Sequence, residues 1–459
     1  MVKYFLTNGD GASSVLYLNG GNGIFALSLD SEQLSLKCEL LELPASILSE
    51  LTVADSQPKK KKRKESSIQG PSEELDMIGS FLITDNKLYV MKHSKEISCI
   101  DIMEKSINTT DKLIKKAHVC AFVKVSGNEV LLIGDKAGEV YLYANPTQNL
   151  QAKICITGHT TSMITDMVHF VSMEKKKGEY LITSDRDEKI RISRFPDVHS
   201  IESYCLGHKS VISSICLYPN QEEALQLAKN EILFSAGWDH QIMAWAIPSG
   251  KLMGRYCPGN DKNEPLALLP NVIENKNENE NEKEEEDGAG EEEGEDDEKE
   301  KTYNAAAAGS FPTKLIMIPT PSNTYHMLST FKTLTQLKVL SLCLEANHVS
   351  FGLMQTVELK GCPYDIICFQ NRFVFVLLDA PDFIQIFEIE MESSTNSKLI
   401  ERTDIDLTLV KTTLSNHGVD MAQLQKANEN EDVWTKHNLD KPFAKMLAVK
   451  RQKSVDAKA

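Results

Sequence analysis

The sequence lacks the long apolar runs, paired cysteines and catalytic motifs that mark several large classes of protein. No apolar run in its 459 residues approaches the ~20 residues that a transmembrane helix needs, and the N-terminal segment lacks the apolar core of a signal peptide. Ten cysteines are scattered without a CxxC pair, so we expect reduced thiols and no cysteine zinc site. GxSxG, Walker and HExxH motifs are also missing. The sequence therefore predicts no catalytic residue, no metal and no cofactor.

Basic side chains are outnumbered by acidic ones, 50 to 66, so the formal net charge is −16. The segment from Glu274 to Lys301 holds 16 acidic and four basic side chains, so it carries three quarters of that excess. An acidic balance argues against a protein that binds nucleic acid alone. One short basic run follows Pro58 and matches the compact nuclear-import pattern; it consists of Lys59, Lys60, Lys61, Lys62, Arg63 and Lys64. A solvated charge run or a phosphate-binding arm are the alternatives.

Short runs rich in β-branched and aromatic residues, separated by turn residues, predict strands through most of the chain. No alternation of strands and helices occurs, which disfavours a parallel α/β sheet. Two segments have too few apolar side chains to fold, namely a basic insertion at 52–74 and an acidic loop at 259–310. Residues 1–51, 75–258 and 311–411 are predicted to form one domain, and 412–459 a polar tail.

Three segments align without gaps: LLIGDKAGEVYLY ending at Tyr143, YLITSDRDEKIRIS ending at Ser193, and ILFSAGWDHQIMAW ending at Trp245. A Gly-His pair precedes the second and the third at comparable offsets. This succession is the WD-repeat pattern, which predicts an all-β fold, a seven-bladed β-propeller of four-stranded blades. The strand runs place the blade starts near residues 1, 75, 115, 158, 207, 312 and 360.

A hydrogen-bonded relay explains why WD repeats need these residue types. The His bridges a turn Asp and a Ser or Thr, and a strand Trp closes the chain, so that buried polar groups are paired. The predicted relay residues are His208, Ser235, Asp239 and Trp245 in the third repeat, and His159, Thr183 and Asp187 in the second, where Ser193 replaces the Trp. The first repeat has Ala137 at the Asp position, so no relay is expected there. We interpret these histidines as structural.

The block TSDRDEKI (Thr183–Ile190), followed by GHK (Gly207–Lys209), is more specific than the general repeat. Over residues 157–245 the chain resembles the non-catalytic WD-repeat subunit of the tRNA (guanine-N(7)-)-methyltransferase. The resemblance implies a scaffold that binds and stabilises a separate catalytic subunit. Together the two subunits would transfer a methyl group from S-adenosylmethionine to N7 of a guanosine in the tRNA variable loop. It also implies that the two subunits form a heterodimer and that tRNA binds to this complex. The partner contacts that it implies are made by Arg186 and Lys209.

Position in the repeat also favours a partner site at these two cations. Arg186 adjoins the turn Asp and Lys209 follows His208, so both belong to the relay end of neighbouring blades. Two cations on rigid turns of one face suit acidic groups on a partner. Glu188, Lys189 and His240 are expected to flank them. The alternative is that Arg186 pairs only with a local acid.

Other functions remain open at this stage. One is a nuclear WD-repeat adaptor for chromatin or ubiquitin-ligase assembly, and another is an enzyme active as a single chain. The run from Asn19 to Ala26 contains GxGxxA after a strand, but a nucleotide site would need a helix after the glycines. IFALSL continues with strand chemistry, so we predict a hairpin turn there.

Overall fold

The computed structural model describes residues 5–7, 15–19, 23–30, 35–41, 78–84, 86–125, 127–151, 153–159, 162–174, 178–258, 311–320, 322, 324–332, 334–378, 383–391, 397–417 and 419. The predicted basic insertion at 52–74, with its import run Lys59–Lys64, lies outside the described residues. So do the acidic loop at 259–310 and most of the tail predicted at 412–459.

Seven four-stranded antiparallel sheets make up the fold, and each sheet uses four strands that follow one another in the chain. Blades 1 to 3 contain β1–β4 (Phe5–Thr7, Val15–Asn19, Ile24–Asp30, Ser35–Leu40), β5–β8 (Ile78–Thr84, Lys87–Lys92, Glu96–Asp101, Ser106–Lys112) and β9–β12 (Ala117–Val125, Asn128–Asp135, Glu139–Ala144, Lys153–Gly158). Blades 4 and 5 contain β13–β16 (Ile164–Val171, Glu179–Asp185, Lys189–Phe195, Ile201–Leu206) and β17–β20 (Ile212–Leu217, Glu231–Gly237, Ile242–Ile247, Lys251–Tyr256). Blades 6 and 7 contain β21–β24 (Pro312–Pro319, Tyr325–Phe331, Gln336–Glu345, His348–Glu358) and β25–β28 (Pro363–Phe369, Phe373–Leu378, Ile384–Met391, Ser397–Glu401).

The predicted seven-bladed propeller is confirmed. Each blade begins within a few residues of its predicted start, including the four blades that carry no clear repeat signature. The glycine-containing run after β2 leads into strand β3, which pairs with β2 from Asn19 opposite Ile24. That arrangement is the predicted hairpin, and it offers no helix N-terminus to a phosphate.

Burial of the middle strands follows from the way blades stack. Strands β18, β19 and β26 are buried at every residue, because both faces of a blade pack against neighbouring blades. Their sequences are accordingly mostly apolar on both faces rather than alternating, although β18 also buries Glu231 and Ser235. The fourth strands lie at the rim and alternate more: β16 buries Cys205 and exposes Tyr204 and Leu206.

The first strands of the blades form a closed inner ring. Each contacts the first strand of the next blade, and β1 contacts both β5 and β25, so the ring is complete. Polar side chains tie some of these strands together. The Asp166 carboxylate accepts the N–H of Ile215 in the next blade (2.9 Å), and Lys314 Nζ lies 2.9 Å from Asp365 Oδ1 across another blade boundary.

Two helices supplement the sheets in the described part of the chain. Helix α1 (Gln221–Leu227) lies between β17 and β18, and its N-cap Asn220 accepts the N–H of Glu223 (3.2 Å). Helix α2 (Thr408–Asn416) follows blade 7 and crosses the predicted boundary between the domain, which ends at residue 411, and the tail, which starts at residue 412. No helix among the described residues is long and apolar enough to cross a membrane.

Helix α2 covers the seam between the last blade and the first. It contacts β4, and its buried Val410 and Leu414 join one apolar cluster with Phe25 of blade 1 and Phe375 of blade 7. The His417 ring meets Phe25 edge-on, with centroids 5.8 Å apart. No strand is shared between blades 1 and 7 in the described residues, so this apolar contact closes the ring on its outer side.

The seam contact predicts unequal effects along one helix. Leu414→Ala removes a buried side chain and should lower the free energy of unfolding by about 2–5 kcal/mol. Leu409→Ala is the matched control, because Leu409 is 52% exposed and should change stability by less than about 0.5 kcal/mol. Urea unfolding of both variants measures the difference. Equal losses would mean that the helix does not hold the seam.

Candidate functional site: the relay end of the propeller

The relay end is the end of the propeller formed by the turns between second and third strands and by the loops that lead from one blade to the next. In blade 5 it holds a continuous hydrogen-bonded chain. Trp245 Nε1 donates to Ser235 Oγ (2.8 Å), Ser235 Oγ donates to His208 Nε2 (2.7 Å), and His208 Nδ1 donates to the Asp239 carboxylate (3.0 Å). The carboxylate can only accept, which fixes the proton on Nδ1. All four predicted residues are brought together.

Blade 4 uses a different aspartate from the one predicted. His159 Nε2 lies 2.8 Å from Thr183 Oγ1, as expected, but His159 Nδ1 donates to Asp185 (2.8 Å) rather than to Asp187. The side chain of Asp187 is 44% exposed and pairs with Arg186. The assignment of Asp187 to the relay was therefore wrong.

Register explains the exchange. Asp185 lies opposite Ile164, the first residue of its blade, and the equivalent position of blade 5 is Gly237, opposite Ile212. A Cβ on Gly237 would lie 2.4 Å from His208 Nδ1, so glycine leaves room for Asp239 to reach inward. In blade 4 the aspartate occupies that room itself. The alignment of Asp135 and Asp185 in the first two repeats was the signal that could have found this.

The two relay aspartates stay ionised despite their burial. Burial alone would raise the pKa of Asp185 and of Asp239, but hydrogen bonds from His159 and His208 and from turn amides outweigh it. Both pKa values consequently lie below the usual range. Each carboxylate fixes a turn as well as a histidine: Asp185 accepts the N–H of Lys189 (3.0 Å), and Asp239 accepts the N–H of Lys209 (2.8 Å).

Blade 3 keeps the aspartate and loses the histidine. Asp135 Oδ1 accepts the N–H groups of Ala137 and Glu139, but its buried Oδ2 has no partner. The buried Leu113 occupies the position that His159 has in blade 4. Its N–H donates to the carbonyl of Lys95, and in the same way the N–H of His159 donates to the carbonyl of Gly138. Burial accordingly raises the pKa of Asp135. The absence of a relay expected in this repeat agrees with this arrangement.

An arginine replaces the tryptophan as the support of the blade 4 loop. Ser193, at the position of Trp245, is buried and its Oγ has no partner. Arg191 Nη1 donates instead to the carbonyl of Gly158 (3.1 Å), and Nη2 donates to Thr157 Oγ1. The loop that carries His159 is therefore held by a guanidinium.

The predicted partner-binding residues all lie on these fixed turns. The Arg186 N–H donates to Met163 (3.1 Å) in the loop that enters blade 4, and the Lys209 N–H is held by Asp239. Glu188 and His240 occupy equivalent turn positions with φ of +74° and +65°, and Lys189 follows Glu188. Lys189 and Lys209 are exposed, whereas the side chain of Arg186 is 36% exposed beside Asp187.

Blades 4 and 5 are neighbours, since β13 contacts β17, and the turns described above lie at the same end of both. The structure thus places Arg186, Lys189 and Lys209 on one end of two adjacent blades. Arg186 Nε does donate to a local acid, Asp187 Oδ1 (3.0 Å), which was the stated alternative. An exposed pair of this kind is worth about 0–1 kcal/mol and does not prevent an exchange of partners.

The described ranges contain neither a cluster of metal-ligating side chains nor a disulfide. No three His, Cys, Asp or Glu side chains there are arranged to hold a metal ion. The ten cysteines, all of which lie within those ranges, form no disulfide.

These blades, with the Gly-His loops and the relay of blade 5, define the molecule as a WD-repeat β-propeller. A chain in a crystal structure of the mitotic checkpoint complex aligns with a TM-score of 0.51 and 12% identity, covering 84% of this chain and 90% of that one. At that identity the likeness supports the fold alone.

The family model of the tRNA methyltransferase TRM82 WD40 domain matches residues 144–401, more than half of the sequence. The chain belongs to this family. The matched range contains all the strands of blades 4 to 7, so it includes every turn of the relay end described for blades 4 and 5.

Curated relatives match over shorter stretches. The non-catalytic subunit wdr4 of the tRNA (guanine-N(7)-)-methyltransferase from Dictyostelium discoideum is 30% identical, over 37% of this chain and 35% of the relative. The subunit TRM82 from Candida glabrata is 35% identical, over 28% of each chain. The subunit WDR4 from Bos taurus is 30% identical, over 40% of this chain and 39% of the relative. The chain thus spans about a third of the length of the curated relatives it matches.

The exchange of aspartates in blade 4 is testable by substitution. Asp185→Ala leaves the buried His159 without its acceptor and should lower the free energy of unfolding by about 3–5 kcal/mol. Asp187→Ala removes an exposed pair and should cost less than about 1 kcal/mol. Thermal and urea unfolding of the two variants measure both effects. The reverse order would restore Asp187 to the relay.

Proposed function

We propose that this chain is the non-catalytic subunit of a tRNA (guanine-N(7)-)-methyltransferase, which binds and stabilises the catalytic subunit. The observation that carries the proposal is the set of cations on fixed turns of blades 4 and 5, within the range matched by the family model. The printed names of the relatives support the same role. The chain itself performs no catalytic step in this proposal.

Fixed turns make these cations suitable for binding. Asp239 holds the Lys209 amide, and the carbonyl of Met163 accepts the Arg186 amide, so the backbone under each side chain is already ordered before a partner arrives. Pre-ordered groups lower the entropy cost of association. Carboxylates on the catalytic subunit would pair with Lys209 and Arg186, with Lys189, Glu188 and His240 beside them.

Contact with tRNA occurs through the complex in this proposal. The net charge of −16 makes the isolated chain a poor ligand for a phosphate backbone. The catalytic subunit therefore supplies most of the RNA contact, and this chain supplies a rigid support for that subunit. S-adenosylmethionine is bound by the catalytic subunit.

The contact predicts a specific loss on charge reversal. Lys209→Glu should weaken the complex by about 2–5 kcal/mol, because a carboxylate then faces the acidic groups of the partner. The propeller should keep its melting temperature, since the Lys209 side chain is exposed. Lys251→Glu is the matched control: it makes the same charge change on an exposed residue at the opposite end of blade 5.

Co-purification with the catalytic methyltransferase, followed by tRNA methylation, measures these effects. A yield of the Lys209→Glu complex equal to that of Lys251→Glu would sink the proposed contact. Methylation by the purified single chain would overturn the non-catalytic role. Association with histones or a ubiquitin ligase, without any methyltransferase, would support the adaptor instead.

We further propose that the run Lys59–Lys64 directs nuclear import. Its support is the sequence alone, six consecutive cations after a proline. Replacing the six cations with serine should shift a fluorescent fusion from the nucleus to the cytoplasm. The seven residues from Pro58 to Lys64 attached to an unrelated reporter should in turn accumulate in the nucleus. A partner could carry the substituted chain into the nucleus, so the measurement is repeated after the catalytic subunit is depleted. Nuclear accumulation of the substituted chain in those cells would contradict the assignment.

A further inference from the structure

The rim strand of blade 4 exposes three large side chains, whereas β12 and β28 each expose one, Ile154 and Ile400. Strand β16 leaves Ile201, Tyr204 and Leu206 44%, 40% and 64% exposed. In blades 2, 3 and 6 the residues opposite the first residue of the third strand are Lys112, Gly158 and Glu358, whereas in blade 4 that residue is Leu206. Among these four blades, only blade 4 has a large apolar residue at this position.

Leu206 lies among the cations of the relay end. It is directly opposite Lys189 in the register of β15 and β16, and three residues before Lys209. Tyr204, two residues earlier on the strand, points to the same side. The two apolar side chains are therefore continuous with the proposed partner-binding residues rather than scattered on the surface.

The strand beneath these side chains is anchored from its neighbours. Ser203 Oγ donates to the carbonyl of Pro248 in blade 5 (2.5 Å), and a Cβ on Gly250 would lie 2.4 Å from the Tyr204 carbonyl oxygen, so that turn packs closely on β16. Tyr204 also lies directly opposite Arg191 in the register of β15 and β16, and the guanidinium of Arg191 reaches the last residues of blade 3. An apolar surface held this firmly needs little ordering on binding.

We propose that Leu206 and Tyr204 form an apolar anchor for the catalytic methyltransferase subunit. This inference rests on the proposed function and extends the partner surface from the turns of the relay end onto the rim of blade 4. The occupant is a protein segment that places an apolar side chain against Leu206 and carboxylates against Lys189 and Lys209. The chemistry of this segment follows from the surface that it would cover, which is apolar at Leu206 and cationic beside it.

The test compares Leu206→Ala with Leu227→Ala in the full chain. Leu227 is 48% exposed at the end of helix α1, on the opposite end of blade 5, and serves as the matched control. Titration with the purified catalytic subunit should give a Kd about 10–100-fold higher for Leu206→Ala and unchanged for Leu227→Ala. The loss should persist at high salt, whereas the effect of Lys209→Glu should shrink there.

A second measurement does not depend on weakened binding. A benzophenone side chain at position 206 should crosslink to the catalytic subunit, and one at position 227 should not. A Kd within twofold of wild type for Leu206→Ala, or no crosslink from position 206, would overturn the anchor while leaving the contact of Lys209 intact. Crosslinking of position 206 to tRNA alone would also overturn it. Failure of the wild-type chain to bind the methyltransferase would refute the proposed function itself.

Discussion

A blade whose middle strands are apolar on both faces has to be covered on both faces, and in a propeller this is possible only when the ring closes. Strands such as β18 and β19 have no exposed residue, so each blade depends on two neighbours. The weakest point of such a ring is the seam between its first and last blades. Here the first strands β1 and β25 touch inside, and Val410 and Leu414 of α2 fill the outer side.

Closure also explains why short turns can serve as a binding surface. A turn on an isolated hairpin would lose conformational entropy when a partner bound it, but the turns of blades 4 and 5 are fixed from below by His159 and His208. Each relay aspartate binds both a histidine and a turn amide. The same hydrogen bonds that satisfy buried polar groups therefore position Lys189 and Lys209. Stability and presentation of the cations depend on one set of contacts.

The sequence was sufficient for the blade count because period, strand length and turn residues recur even where the WD signature is lost. It was sufficient for the blade 5 relay because all four residue types are present at the expected spacing. It failed at Asp187 since spacing alone cannot tell which of two aspartates points inward; the answer depends on whether glycine or a side chain occupies the position of Gly237. The seam helix was missed for a related reason, because Val410 and Leu414 acquire their meaning only from the cluster around Phe25.

Exposed apolar side chains are equally invisible to pattern analysis. Leu206 belongs to a strand whose composition is ordinary, and only its register opposite Lys189 places it among cations. At the same register position blades 2 and 6 carry Lys112 and Glu358, charged residues of the kind that a solvated rim favours. Tertiary position, not residue type, carries the information.

Net charge and local charge act on a partner at different distances. The −16 of the whole chain would repel an acidic protein, whereas Lys209 and Lys189 attract carboxylates at contact. At physiological ionic strength charges more than about 8 Å apart are largely screened, so affinity depends on the local pairs and on apolar contact at Leu206, which salt does not weaken. A partner that is basic overall and acidic only where it contacts blades 4 and 5 would avoid the long-range repulsion and still form the local ion pairs. A basic surface elsewhere on that partner is also what the phosphate backbone of tRNA requires, so one charge distribution serves both its ligands.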